Sequence, residues 1–388
     1  MARAAAALTR TAMRPVEAPR RVCGPNISAM PPNRMNRDEF FAKLSPLDED
    51  RLRKALWNLY WRGSASLRER IEGELEPAER DRRKRAAAEP ARPDLVLYEI
   101  REFVELARAG AYMAGDRRVS PKERTRWRLT FRQLVADAQS ALHAEDAGPA
   151  EEALALIIDL ACEMKDSEYF RSEDPVEAAR FVVSDAAAVL WETVRDSRGF
   201  SVFAQQAAAQ LIRWESRYGW TRGWGKVHER ETSLAAVLAR MLQAPDHWTT
   251  FADRYLDALD TLARSPAEPA IMLSSWGYGD RDYARHWRTE ALAEWHDLLL
   301  DRLTESEAED RLDLLVSHRA LGGPELTFLK ARLARLRGDR DAARRLVSDC
   351  LEELPGHPGF ADFAAEVGAK MPPRARELAE QRWETAKS

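Results

Sequence analysis

Aromatic, glycine and basic residues are concentrated in residues 214–228, WESRYGWTRGWGKVH, which have the composition of a binding loop. A second aromatic and glycine-rich segment, SSWGYGDRDY, follows at residues 274–283. Tryptophan, tyrosine and arginine are enriched among the contacts that dominate binding energy at protein interfaces. We therefore predict that both segments lie at one edge of the molecule and contact a partner. The predicted contact residues are Arg217, Tyr218, Trp220, Arg222, Trp224, Lys226, Trp276 and Tyr278.

The alternative is that these rings fill the ends of helical pairs and belong to the core. Seven of the twelve tryptophans lie between residues 214 and 295. Glycines at 219, 223 and 225 give a backbone that is costly to order. The aromatic side chains of this segment must therefore dock somewhere, either on this chain or on a partner.

The sequence contains no local motif for catalysis, for a metal ion or for a cofactor. His286 and His296 lie ten residues apart on one predicted helix, without the carboxylate spacing of a zinc-binding H-E-x-x-H motif. The glycines at 277–280 lack the lysine and the preceding strand of a phosphate-binding loop. Cys162 and Cys350 fall on apolar helical faces, as core thiols do. We predict a protein that is not an enzyme and that carries no cofactor or metal.

Helix-start signals recur along the chain. A capping residue, a proline and an acid follow one another at Ser45–Asp48, Ser120–Glu123 and Asp174–Glu177. The capping oxygen accepts an unpaired backbone N–H, proline needs no donor there, and the acid faces the positive end of the helix. A weaker variant occurs at Gly323–Glu325, and Thr304–Glu307 matches a capping box without proline.

Apolar residues after these starts recur at spacings of three and four, as at Trp127, Phe131, Leu134 and Ala138. This spacing predicts amphipathic helices, and no segment alternates as a strand would. The predicted fold is all-α, with antiparallel helical hairpins stacked as an irregular α-solenoid of about 14–16 helices. The predicted helices include residues 46–62, 121–143, 174–196, 281–303 and 305–318.

Composition changes divide the chain into four parts. Residues 1–35 are predicted to be a disordered tail or an over-long start before Met35, with a transit peptide as the alternative. Residues 36–75 form a small helical module, and residues 76–93 form a linker rich in arginine and proline. Residues 94–388 form the helical-repeat body.

The C-terminal part contains an internal repeat. Pro324 aligns with Pro358 at a separation of 34 residues, a period typical of helix-turn-helix repeats. The other aligned pairs are Gly322 with Gly356, Leu326 with Phe360, Leu329 with Phe363, Ala331 with Ala365, and Leu333 with Val367.

The stretch TFLKARLARLRGDRDAARRLVSDCLEELP resembles one unit of the tetratricopeptide-repeat family. The resemblance depends on small residues at Ala331 and Ala343, a turn at Gly338, an apolar face that includes Cys350, and Pro355 as terminator. It covers one unit near 322–355 and a degenerate one after it, so tetratricopeptide-like units are expected over 322–385. The family resemblance implies paired helices and a concave surface that binds other proteins.

Charge and hydropathy exclude several classes of protein. The net charge is −4, and removing the +5 of the first 35 residues leaves −9 on the rest, which would repel a nucleic-acid backbone unless cations were concentrated on one face. The most apolar stretch, ALALIIDLAC, is too short to span a bilayer. Three isolated cysteines favour a reducing cytoplasm.

Three functions follow in order of preference. The first is a cytoplasmic scaffold that binds an unidentified protein through the aromatic segments. The second is a single-stranded nucleic-acid-binding protein that uses residues 214–228 together with the cations from Arg80 to Arg85. The third is an enzyme with a dispersed site, which a deep polar pocket with clustered carboxylates or histidines would favour.

Overall fold

The protein is all-α over the residues that its computed structural model describes, and no strand occurs among them. These residues are 37–64, 67–68, 71, 75, 91–113, 116–164, 167–218, 225–264 and 281–385. They contain seventeen helices, where about 14–16 were expected for the whole chain. Contacts divide the chain into two compact units, residues 1–84 and residues 85–388.

The first unit contains α1 (Arg37–Leu44) and α2 (Glu49–Arg62). Asp48 caps α2 by accepting the backbone N–H of Arg51 at 2.8 Å. The helix therefore begins at residue 49 and not at 46, because Asp48 rather than Ser45 supplies the capping oxygen.

The second unit contains the other fifteen described helices. They are α3 (Pro93–Arg108), α4 (Pro121–Ala141), α5 (Gly148–Glu163), α6 (Pro175–Ala179), α7 (Val183–Arg198), α8 (Phe200–Tyr218), α9 (Leu234–Met241), α10 (Pro245–Arg264), α11 (Arg281–Ala291), α12 (Ala293–Glu305), α13 (Glu309–Val316), α14 (Gly323–Leu336), α15 (Arg340–Glu353), α16 (Pro358–Val367) and α17 (Pro373–Thr385).

Two of the predicted helix starts are confirmed by their caps. Ser120 and Glu123 form a complete capping box: the N–H of Glu123 donates to Ser120 Oγ at 3.3 Å, and the N–H of Ser120 donates to Glu123 Oε2 at 2.9 Å. Asp174 accepts the N–H of Glu177 at 2.9 Å and begins α6.

The single helix predicted over 174–196 is wrong, because two helices occupy that range. Arg180 adopts a left-handed conformation with φ 54° and ends α6 after five residues. The carboxylate of Glu231 then accepts the N–H groups of Val183 and Ser184, at 2.5 and 3.0 Å, and caps the start of α7. A side chain about 50 residues away thus provides the cap, so no local pattern could indicate this break.

Two further boundaries differ from prediction. The helix predicted over 281–303 is interrupted at Leu292, so that α11 and α12 are separate. The capping box expected at Thr304 does not form, because α12 continues through Glu305 and the Thr304 hydroxyl donates to the Leu300 carbonyl at 2.6 Å.

The second unit has two hydrophobic clusters. The larger extends from Val96 on α3 to Leu333 on α14, and the smaller joins Ala331 on α14 to residues of α15, α16 and α17. The C-terminal helices therefore have a core of their own.

The residue pairs aligned in the predicted repeat differ in burial. All six residues in the pairs Leu326 with Phe360, Leu329 with Phe363 and Leu333 with Val367 are buried. Ala331 is buried, whereas Ala365 is exposed. The turn after α14 lies where the sequence placed it, with Gly338 at φ +82° and Asp339 capping α15.

Among the described helices, none is long and apolar enough to cross a membrane.

Candidate functional site

The structure describes three of the eight predicted contact residues. Arg217 is half-buried and lies 3.3 Å from Glu163, a carboxylate that it shares with Arg108. Tyr218 is the last residue of α8. Lys226 is exposed and has no ion-pair partner among the described residues. The other five lie outside the described residues: Trp220, Arg222, Trp224, Trp276 and Tyr278.

The helices that flank the two aromatic segments contact each other. The first aromatic segment begins before the end of α8 and continues beyond it, and the second ends within the first turn of α11. The indole Nε1 of Trp287 on α11 donates to the carbonyl of Ser216 on α8 at 2.8 Å. The end of α8 and the first part of α11 therefore lie side by side.

The last residues of the first aromatic segment, 225–228, contact the start of α6. Gly225 has φ +140°, and a Cβ there would collide with the carboxylate of Glu177. That carboxylate accepts the N–H of Val227 at 2.9 Å, and His228 Nε2 lies 2.8 Å from Asp174 Oδ2. Only glycine combines this positive φ with so close an approach, which explains the glycine at position 225.

Three tryptophans of the aromatic-rich region belong to the core, as the structural alternative predicted for them. Trp214 is fully buried, donates to Asp159 Oδ1 at 2.6 Å and stacks on Trp191. Trp248 and Trp295 are buried and stack with ring centroids 5.8 Å apart.

The described residues also form a cavity of about 350 Å³ among α11, α12, α14 and the start of α16. Its lining combines carboxylates, histidines and apolar side chains. The lining residues are Thr289, Glu290, Ala293, His296, Asp297, Glu325, Phe328, Leu329, His357 and Gly359.

Glu325 is carried into this cavity by the first turn of α14. The N–H of Gly322 donates to Thr289 Oγ1 at 3.0 Å and fixes the chain to α11. Gly323 has φ +81°, and a Cβ there would collide with the imidazole of His286. The sequence marked Glu325 as an acid that favours the helix start, but the side chain is 8% exposed and faces the cavity.

His357 faces Glu325 with a defined ring nitrogen. Its Nδ1 accepts the N–H of Phe360 at 3.3 Å and caps α16. In the neutral ring the proton then resides on Nε2, which lies 3.3 Å from Glu325 Oε1. Burial lowers the pKa of His357, with the positive charge of Arg382 as a second cause.

The carboxylates of the cavity hold protons more tightly than ordinary acids. Burial raises the pKa of Glu325 to about 7, with further contributions from the charges of Glu290 and Asp297. Burial also raises the pKa of Glu290, which lies 3.4 Å from His286. The pKa of Asp297 is raised by burial, and its partner Arg332 opposes the shift.

His296 lines the cavity and is only 2% exposed. Its Nε2 lies 2.8 Å from the hydroxyl of Tyr255. Burial lowers the pKa of His296 to about 3 and raises the pKa of Tyr255, so both groups are neutral at pH 7. The sequence predicts one helix that carries both His286 and His296, but the break at Leu292 puts His286 on α11 and His296 on α12.

The cavity is therefore acidic, with neutral histidines beside its carboxylates. Such a site can receive a cationic group, and a carboxyl with pKa near 7 can also serve in proton transfer. Within the described ranges, no three His, Cys, Asp or Glu side chains are grouped so as to hold a metal ion.

The two described thiols are unsuited to nucleophilic chemistry. Cys162 is fully buried, and burial raises its pKa well above the usual value. Cys350 donates its S–H to the carbonyl of Pro324 at 3.4 Å, and burial raises its pKa to about 12. Both are core residues, as predicted.

Comparison of the chain with protein-family models, with curated proteins and with solved structures found no match.

Proposed function

We propose that the protein is a non-enzymatic α-helical repeat protein, built as an irregular α-solenoid, that binds another protein. The observation that carries this proposal is the locality of helix packing. In the unit of residues 85–388, each described helix packs extensively only against helices up to three places away in the series α3 to α17. Packing between near neighbours along the chain is typical of repeat arrays.

The C-terminal hairpin supports a tetratricopeptide-like unit within this array. Helices α14 and α15 pack against each other across the short turn at Gly338, and α15 packs on α16. The small buried residues Ala331, Ala343 and Cys350 allow close approach of these helices. We place the protein in the cytoplasm, a proposal supported by two cysteines that are free thiols.

We assign the partner surface to the edge that carries the two aromatic segments. Support comes from the contact between Trp287 and Ser216, which brings together the helices that flank these segments. Exposed Lys226 lies within the first segment and has no ion-pair partner among the described residues, so it adds an available cation.

The test is affinity capture of the tagged full chain from its native cells, with and without nuclease. The variant is Trp220→Ala with Trp224→Ala, and the matched control is Tyr98→Ala, which removes an exposed aromatic residue on α3. A near-stoichiometric protein that resists nuclease, is retained by the control and is lost by the double variant would support the proposal.

Two other outcomes of the capture experiment would contradict the proposed surface or the proposed kind of partner. Retention of every captured protein by a folded double variant would eliminate the proposed surface. Recovery of RNA or DNA, with affinity that falls steeply as salt rises, would favour single-stranded nucleic-acid binding instead.

The cavity favours a second candidate, an enzyme whose site is assembled from distant residues. Glu325 has a pKa of about 7 and faces the neutral His357, which is an arrangement suited to general acid–base catalysis. Incubating the chain with a metabolite extract tests this candidate. A compound consumed by the wild type but not by Glu325→Gln would support it, and identical extracts after both incubations would count against it.

A further inference from the structure

We propose that the cavity among α11, α12, α14 and the start of α16 binds an organic cation, an alkylammonium or guanidinium group on an aliphatic stem. This inference is independent of the protein partner proposed above, because it concerns a different part of the molecule. No described residue of the aromatic segments is among the lining residues of the cavity.

The charges of the cavity favour a cation. Three carboxylates are among its described lining residues, and of these Asp297 alone pairs with a described arginine, Arg332. Glu290 and Glu325 face histidines, at 3.4 and 3.3 Å. A ligand cation would compensate carboxylates that have been removed from bulk water, where a negative charge is costly without a partner.

Two deeply buried polar groups have bonding capacity left over. Glu325 is 8% exposed, and its Oε2 has no hydrogen-bond partner among the described residues. His296 is 2% exposed and uses Nε2 for Tyr255, while its Nδ1 has no partner in the same part of the chain. Neither atom is among the buried polar atoms sealed from solvent without a partner, and both residues line the cavity. Both atoms can therefore hydrogen-bond to a ligand that enters it.

The remaining wall suits an aliphatic stem. Phe328, Leu329 and Ala293 line the cavity beside the carboxylates. The volume of about 350 Å³ lies at the lower end of the range for small-molecule sites. An anion would meet like charges, and a metal ion lacks a sufficient set of converging ligands among the described residues.

Calorimetric titration of the purified full chain with n-butylammonium tests this proposal, with 1-butanol as the neutral ligand of similar size. The variants are Glu325→Gln and Glu290→Gln, and the matched control is Glu352→Gln, an exposed glutamate on α15. We expect the wild type and the control to bind the cation alike, and each cavity variant to bind at least about tenfold more weakly.

A third ligand, lysine blocked at both its amino and carboxyl groups, distinguishes the source of the cation. Binding of blocked lysine would identify a basic side chain of a protein, whereas binding of n-butylammonium alone would identify a free amine. The proposal is overturned if the cation binds no more tightly than 1-butanol, or if folded Glu325→Gln and Glu290→Gln bind it as the wild type does. Either failure leaves the partner-capture result unaffected.

Discussion

Glu325 and His357 lie 32 positions apart in the sequence and face each other at 3.3 Å, Oε1 to Nε2, where α14 meets the start of α16. Each residue also serves its own helix: Glu325 is an acid of the first turn of α14, and His357 caps α16. The same local signals that begin two helices thus place a carboxyl and an imidazole together at the cavity.

The raised pKa of Glu325 predicts that stability depends on pH. The folded chain holds this proton more tightly than the unfolded chain, where the ordinary value is 4.5. Stability from this group is complete below about pH 4.5, falls as the pH rises to about 7, and stays lower above it. The full loss is roughly 2–3 kcal/mol, allowing for screening by water in the cavity.

Urea unfolding between pH 4.5 and 8.5 checks this prediction. Glu325→Gln should remove the decline and be more stable than the wild type at pH 8, while Glu352→Gln should keep it. Parallel curves for the wild type and Glu325→Gln would show that Glu325 titrates normally.

Trp214→Phe should destabilise the protein because it removes a hydrogen bond and because the phenyl ring is smaller than the indole. The substitution leaves the half-buried carboxylate of Asp159 with its ion pair to Arg213 but without the indole donor at 2.6 Å. Trp295→Phe is the matched control, because Trp295 is also fully buried and its Nε1 has no hydrogen-bond partner among the described residues. We expect Trp214→Phe to cost about 1–3 kcal/mol more than the control in chemical denaturation. Equal losses would mean that the hydrogen bond contributes nothing.

Gly323→Ala and Gly338→Ala form a second matched pair. Both glycines have positive φ, +81° and +82°, so alanine is strained at either position. A Cβ at Gly338 meets nothing within 4 Å, whereas a Cβ at Gly323 collides with His286. We expect a loss of about 1 kcal/mol at Gly338 and a loss about 1–3 kcal/mol larger at Gly323, measured by unfolding in urea. A smaller loss at Gly323 than at Gly338 would contradict the packing of His286.

The thiols of Cys162 and Cys350 should not react in the folded protein. Both are buried with raised pKa values, so neither presents an accessible thiolate. The measurement is the rate of reaction with a disulfide reagent at pH 8 in Cys23→Ser, which leaves only these two thiols. We expect reaction only as fast as unfolding, and a fast phase in the native chain would contradict the burial of one of them.

The fold class was predictable because its signals are local. Ser120 and Glu123 lie three residues apart and form the capping box that their spacing indicates. The break after α6 was not predictable from local signals. Arginine is not a residue type that indicates a left-handed turn, although Arg180 adopts one. The cap of α7 comes from Glu231, on a distant segment of the chain.

The cavity was not predictable for the same reason. Its carboxylates, Glu290, Asp297 and Glu325, come from three helices, and their spacing in the sequence matches no motif. The position of Glu325 directly after Pro324 is typical of a helix start. It does not indicate that the side chain is buried. Deep burial follows from the packing of α11, α12 and α14, which only the tertiary fold defines.

The two hydrophobic clusters of the second unit meet on α14, where Leu329 belongs to the larger and Ala331 to the smaller. The cavity lies along this boundary, because its lining includes Leu329 of the larger cluster and Phe328, which packs against the smaller one. A cluster with its own core can open below the free energy of global unfolding. We expect α16 and α17 to open in this way as a cooperative unit, and the frequency of that opening to set the rate at which any occupant enters or leaves.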